Sequence, residues 1–224
     1  MPLAEAVTLD FFDTLVFHRD GRGRGRLLVE YLERNGFDPT PWEHDVLYDV
    51  FRLHRTDYSP FAGRAEKQRY YFTLARRVFE RMGITAADDQ VAIHAPALWD
   101  ILGPAAFEIF PDATETLQTL RGRGIPVAVV SNWQSGLCHF CVEIGLNDLV
   151  DHILSSADFG VEKPDARIFL EACSRLGVPP NRTLHVGDTR LDDYVGARAA
   201  GLQAVLIDRA DRPDRPMLEM TSPV

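Results

Sequence analysis

The chain has 224 residues, 46% of them hydrophobic and 25% charged, enough apolar material for one sizeable core and too much for general disorder. A net charge of -9 sets the surface against nucleic-acid phosphates and anionic lipid, so neither nucleic acid nor membrane is expected as a partner. No apolar run approaches the ~20 residues of a membrane span, the start MPLAEAVTLD has no signal-peptide pattern, and three cysteines make no disulfide framework, so a cytoplasmic location is expected.

In chain order, the first element is a short apolar run, Ala6 to Leu9, read as a buried strand. Residues 18 to 102 then carry four helical patterns and no convincing strand. Leu27, Leu28, Tyr31 and Leu32 form one stripe, and Trp42, Val46, Val50 and Leu53 a second. Tyr71, Leu74, Ala75, Val78 and Met82 form the third, and Ala87, Val91, His94, Leu98 and Ile101 the fourth, all at helical spacing. Glycines mark the entry, Gly21-Arg22-Gly23-Arg24-Gly25, and the exit, Gly103-Pro104. The entry run reads as a flexible hinge loop whose arginines draw anionic substrates toward a cleft.

Strands and helices alternate from there. Val127 to Val130, His152 to Leu154, Thr183 to Val186 and Ala204 to Ile207 read as buried strands. Helices are expected at about 112–122, 135–145, 165–176 and 192–200. Pro111-Asp112 and Pro164-Asp165 suit helix starts. The predicted fold is α/β: a doubly wound, five-stranded parallel sheet built from residues 1–17 and 103–208, with a four-helix bundle inserted at 18–102. The tail, 209–224, is expected to be mostly loosely attached. Cys138-His139-Phe140-Cys141 spells C-x-x-C, but at helical spacing both cysteines read as core residues.

Chemistry in such sheets gathers at the carboxyl ends of strands. The first strand runs into Asp10-Phe11-Phe12-Asp13-Thr14, and the second into Ser131-Asn132. A loop after the third holds Lys163-Pro164, and the fourth runs into Gly187-Asp188, with Asp192 and Asp193 following. Singly each is weak. In this order, with a helical insert after the first, they resemble the haloacid dehalogenase-like superfamily, in its group with an α-helical cap, over nearly the whole chain to Asp208.

That resemblance implies a hydrolase. Asp10 matches the nucleophile, a carboxylate that attacks phosphorus and forms an aspartyl-phosphate. Lys163 matches the lysine that offsets charge, and Ser131 the phosphate-binding hydroxyl, with Asn132 beside it assisting in substrate binding. Thr14 matches the threonine that orients the first loop. A Mg²⁺ cofactor is implied, held by Asp10, Asp188 and the backbone carbonyl of Phe12. Asp193 matches the second acid of the fourth motif and is expected at the metal, holding a metal-bound water or Lys163, a task for which Asp192 is also a candidate. Candidate substrate contacts from the insert are Arg64 and Lys67. An exposed helical lysine is the plainer reading of Lys67, and a Schiff-base lysine a more demanding one. Of the histidines only His18 lies near the first motif; His185 and the others read as helix, strand or surface residues.

One departure bears on function. Family phosphatases place a second aspartate two residues after the nucleophile, as the acid that protonates the leaving oxygen. Here that position is Phe12, and the aspartate comes one later, at Asp13. In an extended segment a one-residue shift points the side chain the other way. General acid–base help is worth ~10² to 10⁴ in rate, about 3–5 kcal/mol, so its loss favours good leaving groups. Three readings stand at this point. The first is a Mg²⁺-dependent phosphatase for a small phosphorylated metabolite. The second is a metal-free 2-haloacid dehalogenase, a family that also has an aromatic residue at that position. The third is a phosphate- and metal-binding regulatory protein with weak turnover. The partner is a small anionic molecule, and the chain is a monomer or a homodimer.

Overall fold

The computed structural model describes residues 4–21, 24–39 and 63–209. Its centre is a five-stranded parallel sheet. The strands are β1 (Ala6–Leu9), β4 (Val127–Ser131), β5 (His152–Ser155), β6 (Thr183–Gly187) and β7 (Gln203–Leu206), in the order β5-β4-β1-β6-β7. Every residue of β1 and β4 is buried, because helices cover both faces. The two-residue period of β4 divides its side chains between two cores. Val127 and Val129 join Val7, Leu9, Phe11 and Phe140 on one face; Ala128 and Val130 join Leu154, Ile168, Phe169 and Ala197 on the other. This is why these runs show no polar alternation in sequence. The edge strand β7 exposes Val205 and Leu206.

The four predicted helices are present with shifted ends, as α4 (Pro111–Gly122), α5 (Leu137–Glu143), α7 (Ala166–Leu176) and α8 (Gly196–Ala199), and a single turn that was not expected, α6 (Ser156–Phe159), follows β5. Asp165 caps α7 by accepting a hydrogen bond from the Arg167 N–H at 2.9 Å. A π-helical turn, Arg190–Val195, precedes α8. Cys141 lies in the core beneath α5, and its partner in the C-x-x-C pattern, Cys138, is exposed.

Between β1 and β4 lie α1 (Arg24–Arg34), α2 (Arg64–Arg81) and α3 (Asp88–Leu102). They share a core of their own, with Leu28 and Leu32 against Leu74, Val78 and Phe79 and against Val91 and Leu98. Three of the four helical stripes are accounted for; the one from Trp42 to Leu53 lies outside the described residues. Among the described residues no helix is long and apolar enough to cross a membrane.

A two-stranded antiparallel ribbon, β2 (Val16–His18) with β3 (Phe107–Ile109), carries the chain out to the helices and back. Sequence reading found neither strand, since three residues are too few to show a period. His18 takes its place at this joint. Its Nε2 lies 2.9 Å from the Ile101 carbonyl at the end of α3, and its ring meets Phe107 edge-on.

Candidate active site

The strand order changes direction at β1, with β4 on one side and β6 on the other. In an open α/β sheet this switch leaves a crevice at the carboxyl ends. Asp10 follows β1, Ser131 ends β4, and Asp188 follows β6. The Asp10 N–H donates to the Val186 carbonyl at 2.9 Å, so β6 fixes the height at which the carboxylate emerges.

Lys163 reaches this point from the loop between α6 and α7. Its Nζ donates to Asp10 Oδ1 and to Asp193 Oδ1, each at 2.5 Å, with all three residues buried. The Lys163 peptide is held from both ends by one side chain: Asn132 Oδ1 accepts from the Lys163 N–H at 2.8 Å, and Asn132 Nδ2 donates to the Lys163 carbonyl at 2.9 Å. The Asn132 amide therefore orients the lysine. Gly196 lets α8 close on this loop, since a Cβ there would stand 2.9 Å from Pro164.

The two acids of the fourth motif separate clearly. Asp193 is fully buried. Its Oδ2 accepts from the Thr189 N–H at 2.9 Å, and its Oδ1 faces His185 Nε2 at 3.1 Å as well as Lys163. Asp192 is half-buried and lies 3.5 Å from Asn132 Nδ2. The π-helical turn directs the first acid toward the rim and the second into the site. Gly187 is required beneath it, because a Cβ at that position would sit 2.5 Å from Asp193 Oδ2.

Sequence reading missed His185, which extends this network inward. Its Nδ1 lies 2.9 Å from Thr8 Oγ1, directly across the β1–β6 register. The signal was available: Thr8 and His185 are polar residues within runs that are otherwise apolar. Burial lowers the imidazole's pKa, with Lys163 adding to the effect against the pull of Asp193, so the ring is neutral at physiological pH and serves as a hydrogen-bonding brace.

The charges do not balance. Burial, reinforced by Asp193 and opposed by Lys163, raises Asp10 to about 6. Burial also raises Asp188 to about 8, with Asp10, Asp13 and Asp193 adding to the effect. Asp193 runs the other way: burial opposes its charge, but Lys163 and His185 hold it well below the usual carboxylate range. Lys163 is kept protonated by Asp10 and Asp193 despite its burial. Asp10, Asp188 and Asp193 present oxygens that all lie within 4.8 Å of one another, an all-oxygen set of the kind hard divalent cations take.

The first loop differs from expectation in two ways. Thr14 is buried, yet its hydroxyl has no hydrogen-bond partner among the described residues. The loop is braced by its backbone instead, with Leu15 and Val16 N–H groups on the Phe11 carbonyl at 2.9 and 3.0 Å. The Thr14 carbonyl accepts from Arg209 at 2.8 Å, and Arg209 also pairs with Asp112 and stacks over Phe110 at 3.9 Å. The first residue of the expected loose tail is thus an anchor of the site; residues beyond it lie outside the described set. Nor is the loop extended at Asp13, which has φ 62°, a left-handed position that aspartate tolerates better than most residues. Its charge acts on Asp188 and on Arg24.

Arg24 is the larger departure. Within the Gly-Arg run, expected to be a hinge loop, Arg24 already opens α1. Its guanidinium lies 4.4 Å from the ring centre of Phe12, 5.1 Å from Trp133 and 5.6 Å from Phe107. Desolvated contacts of this kind are worth ~2 kcal/mol or more. Arg64 and Lys67 lie in the first turns of α2, exposed and half-buried respectively. Three residues past Lys67, on the same helix face, the Tyr70 hydroxyl donates to Gln134 Oε1 at 3.5 Å, bringing α2 against the loop after β4.

The sequence matches the haloacid dehalogenase-like hydrolase family over residues 4–201. The chain belongs to that family. This haloacid dehalogenase-like chain is accordingly a hydrolase. It is 30% identical to haloacid dehalogenase-like hydrolase domain-containing protein 3 of Danio rerio over 217 residues, 92% of this chain and 85% of that protein. It is 27% identical to the ribulose-1,5-bisphosphate 5-phosphatase of Halopiger xanaduensis over 215 residues, 95% of this chain and 88% of that one. Among solved structures, the 2-haloacid dehalogenase of Pseudomonas syringae pv. Tomato superposes with a TM-score of 0.59 at 25% identity, covering 94% of this chain and 91% of that one.

Proposed function

We propose that the chain is a Mg²⁺-dependent phosphatase acting on a small phosphorylated metabolite, with Asp10 as nucleophile. The observation that carries this reading is the cluster of Asp10, Asp188 and Asp193, of which Asp10 and Asp193 share the ammonium of Lys163 and Asp188 has no ion pair with it. An anionic substrate entering such a site needs a further positive charge, and the oxygen donors suit Mg²⁺. Asp10, Asp188 and the backbone carbonyl of Phe12 would hold the ion, with Asp193 beside them, and it would supply charge neutralisation for the phosphoryl group. Relatives named as phosphatases support the same chemistry.

The chain's own residues then divide the work. The Asp10 carboxylate attacks phosphorus, and the bond to the leaving oxygen breaks with its electron pair on that oxygen. Lys163, fixed by Asn132 and Asp193, holds Asp10 in place and offsets the phosphoryl charge. Ser131, buried at the end of β4, donates its hydroxyl to a phosphoryl oxygen. Water then attacks the same phosphorus, releasing phosphate and restoring Asp10. The helical insert covers the cleft from the side of α2, with Arg64 and Lys67 as the substrate contacts it brings.

Phe12 favours a second reading, in which Asp10 displaces halide from a 2-haloacid and water cleaves the resulting ester; a halide leaves without a proton. Asp188 opposes it, because that reaction gives a third crowded acid no cation to meet. Phosphate release from an aryl phosphate, with and without Mg²⁺, beside halide release from chloroacetate, separates the two. Mg²⁺-dependent phosphate release that Asp10→Asn abolishes is expected. Metal-independent halide release with no phosphate release would overturn the proposal.

A further inference from the structure

We infer that Arg24 is the leaving-group contact of this site, taking by charge and hydrogen bond the negative charge that develops on the departing oxygen. The inference rests on the reading of Asp10 as the nucleophile of a phosphatase and adds the class of ester it cleaves.

The position of Arg24 carries the argument. Phe12 stands two residues after Asp10, and Trp133 two residues after Ser131. The loops leaving β1 and β4 each contribute a ring, and the guanidinium lies over both, at 4.4 and 5.1 Å. It therefore sits beside the very residue that removes the proton donor, at the first position of α1. A phosphoryl group held between Asp10 and Ser131 must expel its leaving group away from Asp10, in line with the attack. Lys163 takes one side of the Asp10 carboxylate and β6 holds its backbone, so the departing group is placed on the remaining side, toward Arg24.

A guanidinium here does different chemistry from a carboxylic acid. Burial lowers Arg24 to about 10, against the opposing effect of Asp13, so it stays charged at neutral pH. It supplies fixed donors and charge. The rings constrain the planar group in a way a lysine ammonium would not reproduce. The phosphorus–oxygen bond breaks, the electron pair stays on the leaving oxygen, and that anion takes its proton from water after release. The substrates this suits are aryl, enol and acyl phosphates, whose leaving oxygens are stable as anions. Simple alkyl phosphates are poor candidates.

The test is a leaving-group series. Phosphate release with Mg²⁺ is measured for dinitrophenyl, nitrophenyl and unsubstituted phenyl phosphate with the wild-type chain, Arg24→Met, Arg24→Lys and Asp10→Asn. Removal of one such donor costs ~10² to 10³ in rate. The loss in kcat/KM under Arg24→Met is expected to grow from about tenfold on the dinitrophenyl ester to about a thousandfold on the phenyl ester. Arg24→Lys, which keeps the charge and disturbs folding least, should show the same trend with a shallower slope. An equal loss across the series in both variants, or none, overturns the role of Arg24 while Asp10-dependent turnover leaves the phosphatase reading standing. Absence of Asp10-dependent phosphate release from every ester in the wild-type chain overturns that reading, and this inference with it.

Discussion

The strand tips and the helical insert solve opposite problems. At the tips, Asp10, Lys163, Asp193 and His185 are all buried and all polar, each held by direct contact with another member of the set. In the insert the interior is apolar, built from Leu28, Leu32, Leu74, Val78, Phe79 and Leu98. Apart from Arg24, its charges lie mostly outside, as in the helical pairs of Glu30 with Arg26 and Arg34 at 3.0 and 3.6 Å. Surface pairs of that kind are worth a few tenths of a kcal/mol, whereas breaking a buried pair by removing one partner costs ~3–5 kcal/mol. On the proposed reading the reacting carboxylates and lysine sit at the strand tips, where one substitution unbalances several charges, and the insert adds Arg24 at its edge and helices whose packing tolerates change.

The substitution that breaks this contrast most severely is Gly187→Ala. The new Cβ would overlap the Asp193 side chain, which is enclosed and has nowhere to move. Displacing Asp193 strips Lys163 and His185 of a partner each. The expected result is a loss of about 3–5 kcal/mol in stability by denaturant titration, with kcat/KM reduced by ~10² or more. Stability and turnover both close to wild type would mean that the strand tips are as forgiving as the helices.

Next in size is the response to pH and metal. Asp10 and Asp188 have folded-state pKa values raised by burial to about 6 and about 8. A carboxyl raised in this way binds more protons folded than unfolded between its two values, so its contribution to stability falls as pH rises through them. Asp193, held low, adds stability above the unfolded carboxyl range and loses it only under acid conditions. Metal-free protein should therefore show a thermal midpoint that declines from about pH 5 to about pH 8. Saturating Mg²⁺ should flatten that decline, stabilising by about 2.7 kcal/mol at a free concentration about a hundred times its Kd. A slope that Mg²⁺ leaves untouched removes the cation from the site.

What could be read in advance follows the same division. Asp10, Ser131 and Asp188 were legible as candidates because each lies at or just after a strand end, whereas Lys163 and Asp193, in a loop and a turn, were singled out by the family resemblance; the structure brings Asp10, Lys163, Asp188 and Asp193 together. Asp192 could not be separated from Asp193, because the difference lies in one π-helical turn. The β2–β3 ribbon was too short to show a pattern. Arg24 was hidden by its own neighbours: three glycines and three arginines in alternation from Gly21 to Arg26 describe a hinge. The aromatic faces that hold Arg24 come from positions 12, 107 and 133. Local pattern carries no trace of a cluster assembled from three separate segments of the chain.

The smallest expected effect tests the seam between the two regions. Tyr70 is buried, and its hydroxyl meets Gln134 at 3.5 Å, the long limit of a hydrogen bond. Tyr70→Phe removes that contact and keeps the ring, which packs edge-on against Trp99 at 5.2 Å. A long, neutral bond contributes about 0.5–1 kcal/mol, and part of that returns if Gln134 finds water. If the helices dock on the tips as a cover, the change should raise KM a few-fold, leave kcat near its original value, and move the denaturation midpoint little. A fall of ~10² in kcat at unchanged stability would place α2 inside the chemical step, and two helices of the insert, α1 through Arg24 and α2 through Tyr70, would then belong to the reacting end rather than to an adaptable cover.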